Sequence, residues 1–145
     1  MTKMITPQIV IDTNVLVAGL RSKRGTAFRL LSLVGTGLFG IHLSVPLVLE
    51  YEEVLLRELP NLSVSQAAVE RIIDYHCTVA TPHEIYFLWR PFLRDQDDDM
   101  VLELAVKAGC DSIVTYNQRD FADIEQFGLQ TITPADFLRS TGALP

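Results

Sequence analysis

Residues 9 to 17, Ile9-Val10-Ile11-Asp12-Thr13-Asn14-Val15-Leu16-Val17, constrain this chain more than any other stretch. A continuous β-branched run suits a strand buried on both faces, as in a parallel sheet covered by helices. The run ends at a carboxylate and two small polar residues, and hydrophobicity then resumes with helical potential. An Asp at the carboxyl end of such a strand stands where open α/β sheets place their ligands. The same Asp would equally serve as the N-cap of the following helix. This stretch alone does not separate the two roles; the rest of the chain supplies more acids at equivalent places.

In chain order, Val15 to Leu20 makes a short helical turn ending in a basic loop, Arg21-Ser22-Lys23-Arg24-Gly25. Thr26 reads as the N-cap of an amphipathic helix through Val34, with Phe28, Leu31 and Leu33 or Val34 inward, stopped by Gly35 and Gly37. A strand from Gly40 to Ser44 leads to Pro46, well placed in the first turn of a helix over about 46–59. Ser63 and Gln66 have capping-box spacing, which predicts a helix over about 64–76. Thr78 to Thr81 reads as a third strand, and residues 82–94, rich in aromatics and split by Pro82 and Pro91, are the hardest to place. The run Asp95-Gln96-Asp97-Asp98-Asp99 then opens a helix through Ala108, with acids at its positive end and Gly109 just past its last turn. Ser112 to Thr115 and Leu129 to Ile132 read as strands, and Thr133-Pro134 opens a final helix. This alternation argues a three-layer α/β/α sandwich around a central, mainly parallel sheet of about five strands.

The chain's 145 residues suit a single domain over 1–145, able to bury a core without disulfide or structural metal. No stretch reaches the 18 apolar residues of a membrane span, and Met1-Thr2-Lys3-Met4 does not begin a signal peptide, so a cytoplasmic protein is expected. Cys77 and Cys110 lack zinc or redox spacing and read as two buried, reduced thiols. The net charge of −6, 18 acids against 12 bases, lacks the global basic footprint of a nucleic-acid binder. Charge clustered in an active site accounts for part of that excess.

Three acids share a setting. Asp12 ends the first strand, Glu50 lies one turn into the helix after the second, and Asp98 opens the helix feeding the fourth. Beyond the fourth strand comes Thr115-Tyr116-Asn117-Gln118-Arg119-Asp120-Phe121. In a parallel sheet these strand ends and helix starts lie on one edge. Two carboxylates about 5 Å apart repel by roughly 3 kcal/mol at an effective dielectric of 20, so either one keeps its proton or a cation neutralises them. Oxygen-only ligands favour Mg²⁺ or Mn²⁺ over zinc, and such a cluster suits metal-assisted attack on a phosphodiester.

The strings VIDTNVLV, SVPLVLEYEEVL, DQDDDMVLELAVKAGCDSIVT and YNQRDF resemble the successive motifs of the PIN-domain family, in particular the toxins of bacterial toxin–antitoxin pairs. The resemblance spans nearly the whole chain. It implies a Mg²⁺- or Mn²⁺-dependent ribonuclease selective for single-stranded RNA, often a homodimer and often inhibited by a cognate antitoxin. By position it assigns the first three acids to Asp12, Glu50 and Asp98, with Asn14 supporting Asp12 and Thr115 closing the fourth strand. At the fourth acidic position this chain has Asn117, an amide that brings no charge. Asp120, three residues further on, is the candidate for the missing carboxylate, and Asn117 for orienting substrate or a water.

Other residues have plainer readings. Glu52, Glu53 and Glu58 form a solvated helix face. Asp97 and Asp99 cap their helix and complement its dipole. His42, His76 and His83 have no partner spacing, and Tyr86, Phe87 and Trp89 read as core or interface. Arg21, Lys23 and Arg24 are candidates for RNA contact because they follow Asp12 closely. Two rival functions remain open. A phosphoaspartyl protein would need a Lys after a late strand, and residues 131–138 hold none. A PIN-fold binding module of weak or no turnover is favoured by Asn117 and the acidic net charge, and a metal-binding measurement separates it from a nuclease.

Overall fold

The computed structural model describes residues 6–85 and 92–145. Strand β1 (Gln8–Ile11) buries Ile9, Val10 and Ile11 in succession, as a strand covered on both faces requires. The chain continues through α1 (Thr13–Arg21), α2 (Thr26–Ser32), β2 (Gly40–Ser44), α3 (Val45–Arg57), α4 (Gln66–Val79) and β3 (Thr81–His83). It then runs through α5 (Gln96–Lys107), β4 (Ser112–Val114), β5 (Gln130–Ile132) and α6 (Pro134–Thr141). Single 3₁₀ turns at Gln118–Phe121 and Ile124–Phe127 join β4 to β5.

The five strands lie in the order β3-β2-β1-β4-β5, every neighbouring pair parallel. From β1 the chain moves outward through β2 to β3, then returns across the sheet by α5 and moves the other way through β4 to β5. Right-handed crossovers place the helices of the outward path on one face and α5 on the other. In keeping with this, α1 packs on α2 and α3, α3 on α4, and α2 on α6, while α5 packs on β1, β2 and β4. The strand order therefore reverses between β1 and β4, and a crevice opens at the carboxyl ends of these two strands.

The helices face the sheet by simple periodicity. Helix α3 buries Leu47, Tyr51 and Leu55, four residues apart, and leaves Glu52 and Glu53 in solvent. Helix α5 buries Met100, Val101, Leu102, Leu104 and Ala105. In α2 the buried residues are Ala27, Leu30 and Leu31, and Phe28 is only half buried. No helix among the described residues is long and apolar enough to cross a membrane.

Several boundaries differ from the sequence reading for identifiable reasons. Helix α4 runs on to Val79, and the third strand occupies Thr81–His83 rather than 78–81. Thr78 lies in the last turn of the helix, where its hydroxyl donates to the Asp74 carbonyl at 2.9 Å. Pro82 is tolerated because β3 is an edge strand. Ser65, not Ser63, caps α4, accepting from Ala68 N–H at 3.2 Å. Ser63 instead donates to the Arg21 carbonyl at 2.6 Å. Gly25 takes the N-cap position expected of Thr26. Both cysteines are free thiols as expected, but only Cys110 is buried; Cys77 is exposed on α4. Tyr86, Phe87 and Trp89 lie outside the described residues.

Candidate active site

Asp12 sits where β1 stops and α1 starts, at the carboxyl end of the strand, and it caps the helix. Its backbone is extended, and its Oδ1 accepts the Thr13 N–H at 2.8 Å, so it is the N-cap. Its N–H pairs with the Val114 carbonyl at 3.0 Å, which fixes it against β4. Its Oδ2 accepts the Thr115 hydroxyl at 2.8 Å and the Asn14 amide at 3.3 Å. Thr115, fully buried, spends its lone pairs as well: its Oγ1 accepts the Asn14 amide at 3.2 Å and the Asn117 N–H at 3.0 Å. Asn14 also accepts the Tyr116 N–H at 3.3 Å. Asn14 and Thr115 thus form a closed bracket round one face of Asp12.

Burial pushes the Asp12 pKa up; the Thr115 and Thr13 hydrogen bonds oppose that rise, and Asp120 and Asp95 add to it. Glu50, on α3, accepts the Thr13 hydroxyl at 2.5 Å. Its pKa is raised to about 7, chiefly by burial and further by Asp97 and Asp12. Asp98, in the first turn of α5, is likewise raised to about 7, by burial first and then by Asp12, Asp95, Asp120 and Glu50. Strand β1, helix α3 and helix α5 thus bring three carboxyls into one electrostatic neighbourhood.

Asp120, in the 3₁₀ turn after β4, is exposed, and with Asp98 it lines a cavity of about 970 Å³. Asn117 is also exposed and opens that turn, but it lines a neighbouring cavity that includes Asp120 and not Asp98. The basic loop goes elsewhere. Helix α1 starts at the acid-bearing edge and runs away from it, so Arg21 stands about 12 Å along the helix axis. There Arg21 faces Glu58 at 3.7 Å. The fold does not bring Arg21, Lys23 and Arg24 to the carboxyls.

Sequence reasoning passed over four residues here. Tyr51, 1% exposed on α3, donates its hydroxyl to the Ile11 carbonyl, the residue before Asp12; only its helical phase, one place after Glu50, hinted at this. Asp97 raises the Glu50 pKa, so it belongs to the acid group rather than to capping alone. The cap is Asp95, which accepts the Asp97 N–H at 2.8 Å. Asp99 accepts the backbone N–H groups of Phe92 and Leu93 at 3.2 and 2.8 Å. Away from this edge, His42 and His83 pair across β2 and β3 at 2.8 Å, a link invisible as spacing.

The donor set suits a hard divalent cation: carboxylate oxygens, with charge that burial and mutual repulsion disfavour. Among the described residues no three His, Cys, Asp or Glu side chains close tightly enough to hold an ion by themselves.

A family model described as the PIN domain matches residues 8–119. The fold is similar to that of a chain in the crystal structure of VapBC2 from Rickettsia felis bound to a DNA fragment from their promoter. The TM-score is 0.54 at 13% identity, and the match covers 86% of this chain and 98% of that one, a likeness of fold. Comparison with curated proteins gave no match.

Proposed function

The chain belongs to the PIN-domain family, and on that premise we propose that it is a metal-dependent endoribonuclease acting on single-stranded RNA. One observation carries the reading. Asp12, Glu50 and Asp98, from three separate elements, meet at the edge where the strand order reverses; burial raises the pKa of each, and neighbouring carboxyls add to it, Asp120 and Asp95 for Asp12, Asp97 and Asp12 for Glu50, and Asp12, Asp95, Asp120 and Glu50 for Asp98. A structural ion pair would lower those pKa values; a site built to receive a cation or exchange a proton raises them in its absence.

Mg²⁺ or Mn²⁺ held by Asp12, Glu50 and Asp98, with Asp120 as a fourth charge, would neutralise the cluster and supply Lewis acidity at the scissile phosphate. The protein's part is to hold and move protons. Thr115, Asn14 and the Thr13 N–H keep Asp12 in one rotamer. The Thr13 hydroxyl does the same for Glu50. The values of about 7 belong to the metal-free site; a bound divalent cation would draw Glu50 and Asp98 into their ionised form. A carboxylate of the cluster not taken up by the ion can accept the proton of an attacking water, and solvent water protonates the leaving oxygen as the P–O bond breaks. Asn117, beside Thr115, orients substrate or a water.

The same reading gives the protein a single domain over its length, a cytoplasmic setting, self-association as a homodimer and a cognate antitoxin as partner, the toxin's role in such a pair. Exposed apolar side chains on α3, Val45 (70%), Leu49 (58%) and Leu56 (42%), support a protein contact there. The test of function is cleavage of an end-labelled single-stranded RNA and its duplex with millimolar Mn²⁺ or EDTA. Cleavage of the single strand in Mn²⁺ only is expected. No cleavage in Mn²⁺, together with no rise in melting temperature on adding Mn²⁺, would leave a PIN-fold binding module without turnover.

A further inference from the structure

The cavity beside the acid cluster holds more than acids. Along with Asp98 and Asp120 it is lined by Phe92, Arg94 and Arg119. Arg21 pairs with Glu58 and Arg139 with Asp136. Neither cavity arginine takes a carboxylate partner, although carboxylates share the cavity with both. Their guanidinium groups stand in the cavity without an ion-pair partner among the described residues.

Phe92 is 39% exposed, yet it is held firmly. Its ring meets Phe127 edge to face, centroids 5.2 Å apart at 77°. Its N–H and that of Leu93 are both fixed on Asp99. An edge-to-face contact with one neighbour leaves at least one face of the Phe92 ring uncovered by that neighbour. An open aromatic face beside unpaired guanidinium groups is the equipment for one unit of a single-stranded nucleic acid: a base stacks on the ring and a phosphate meets the cations. The volume of about 970 Å³ lies at the upper end of small-ligand sites, roughly 300–1,000 Å³, enough for a nucleotide.

We propose that this cavity is a nucleotide subsite, in which Phe92 stacks a splayed-out base and Arg119, with Arg94, holds the adjoining phosphate next to the acid cluster. The choice of RNA as the strand rests on the nuclease reading. The subsite gives selectivity for single strands a physical origin, because a base inside a duplex stays stacked on its neighbours and cannot reach Phe92. It also places the phosphate-binding cations on the segments flanking α5 and β4 instead of the Arg21 to Arg24 loop.

The test is fluorescence-anisotropy binding of a labelled single-stranded hexaribonucleotide, and of the same sequence as a duplex, in EDTA so that no cleavage intervenes. Phe92→Leu, which keeps an apolar side chain and removes the ring, should weaken single-strand binding by about 5- to 150-fold and erase the preference over duplex. Arg119→Gln, at an exposed position, should reduce the slope of log affinity against log salt by about 0.7. If Phe92→Leu does not fold, the Arg119→Gln slope decides. Wild-type affinity, strand preference and salt slope in the variants would overturn the subsite, even if the wild type cleaves RNA in Mn²⁺. Failure of the wild type to bind the single strand would overturn it too. Binding that depends on Phe92 and Arg119, by a protein that does not cleave in Mn²⁺, would uphold the subsite and remove the nuclease reading.

Discussion

Thr115 is the residue on which the Asp12 geometry turns. Its one hydroxyl donates to Asp12 and accepts from Asn14 and from the Asn117 N–H. Thr115→Val has nearly the same shape and removes all three bonds. Leaving these buried groups unpaired should cost about 1–3 kcal/mol of stability in urea unfolding and raise the Asp12 pKa further, since the lost bond favours the ionised form. An unchanged unfolding midpoint would show that the bracket is not tight. The second residue question is which group completes the acid set. Asp120 lines the cavity with Asp98, and Asn117 does not. Calorimetric titration with Mn²⁺ should therefore show clearly weaker binding in Asp120→Asn and tighter binding in Asn117→Asp, since a carboxylate serves a hard cation better than an amide. Unchanged affinity in Asp120→Asn would reduce the set to three acids. At this scale the sequence displayed where Asp12, Glu50 and Asp98 stand, because each follows a strand end or opens a helix. It did not display Tyr51 beneath Asp12 or Asp99 holding Phe92, because those contacts join segments by packing and carry no fixed spacing.

Among the elements, α5 bears the most competing demands on its first turn. Asp95 caps it, Asp97 faces Glu50, Asp98 faces the cavity, and Asp99 fastens the segment before it. An acidic helix start is adequately explained by the dipole, so the four roles could not be separated by composition. The role of Asp98 is tested by pH. Asp98 has its pKa raised from 3.8 to about 7 on folding. The folded state therefore holds a proton that the unfolded state has released, and stability is lost as pH rises from about 4 to about 7. In metal-free buffer, Asp98→Asn should match or fall below wild type near pH 4 and gain on it through that window. The gain should reach about 1–2 kcal/mol, with screening of a half-exposed carboxylate allowed for. A difference that stays flat or moves against the variant, in urea unfolding across that range, would make Asp98 a structural helix residue. The misplacement of the third strand belongs to this scale as well. Thr78 and Val79 have strand propensity, but they continue the hydrogen-bonded turns of α4, and tertiary context overrides a propensity of this size.

Over the whole molecule, the order of strands and helices was legible because each element carries its own period, and the five-stranded parallel sheet follows from it. The reversal of strand order between β1 and β4 brings Asp12 and Thr115, 103 residues apart, into contact. The sequence showed that both close strands; that the two strands are neighbours is a property of the winding. Winding also decides the fate of the basic residues. The Arg21 to Arg24 loop is near Asp12 in sequence, but α1 carries it away from the acid-bearing edge, and Arg119, far along the chain, lines the cavity there with Asp98 and Asp120. The central claim is that this edge hydrolyses RNA through Asp12. The most direct measurement is the single-turnover cleavage rate of a single-stranded RNA in millimolar Mn²⁺ for wild type and Asp12→Asn, with thermal melts confirming that both are folded. The account predicts a loss of at least about 100-fold in the variant; equal rates would contradict it.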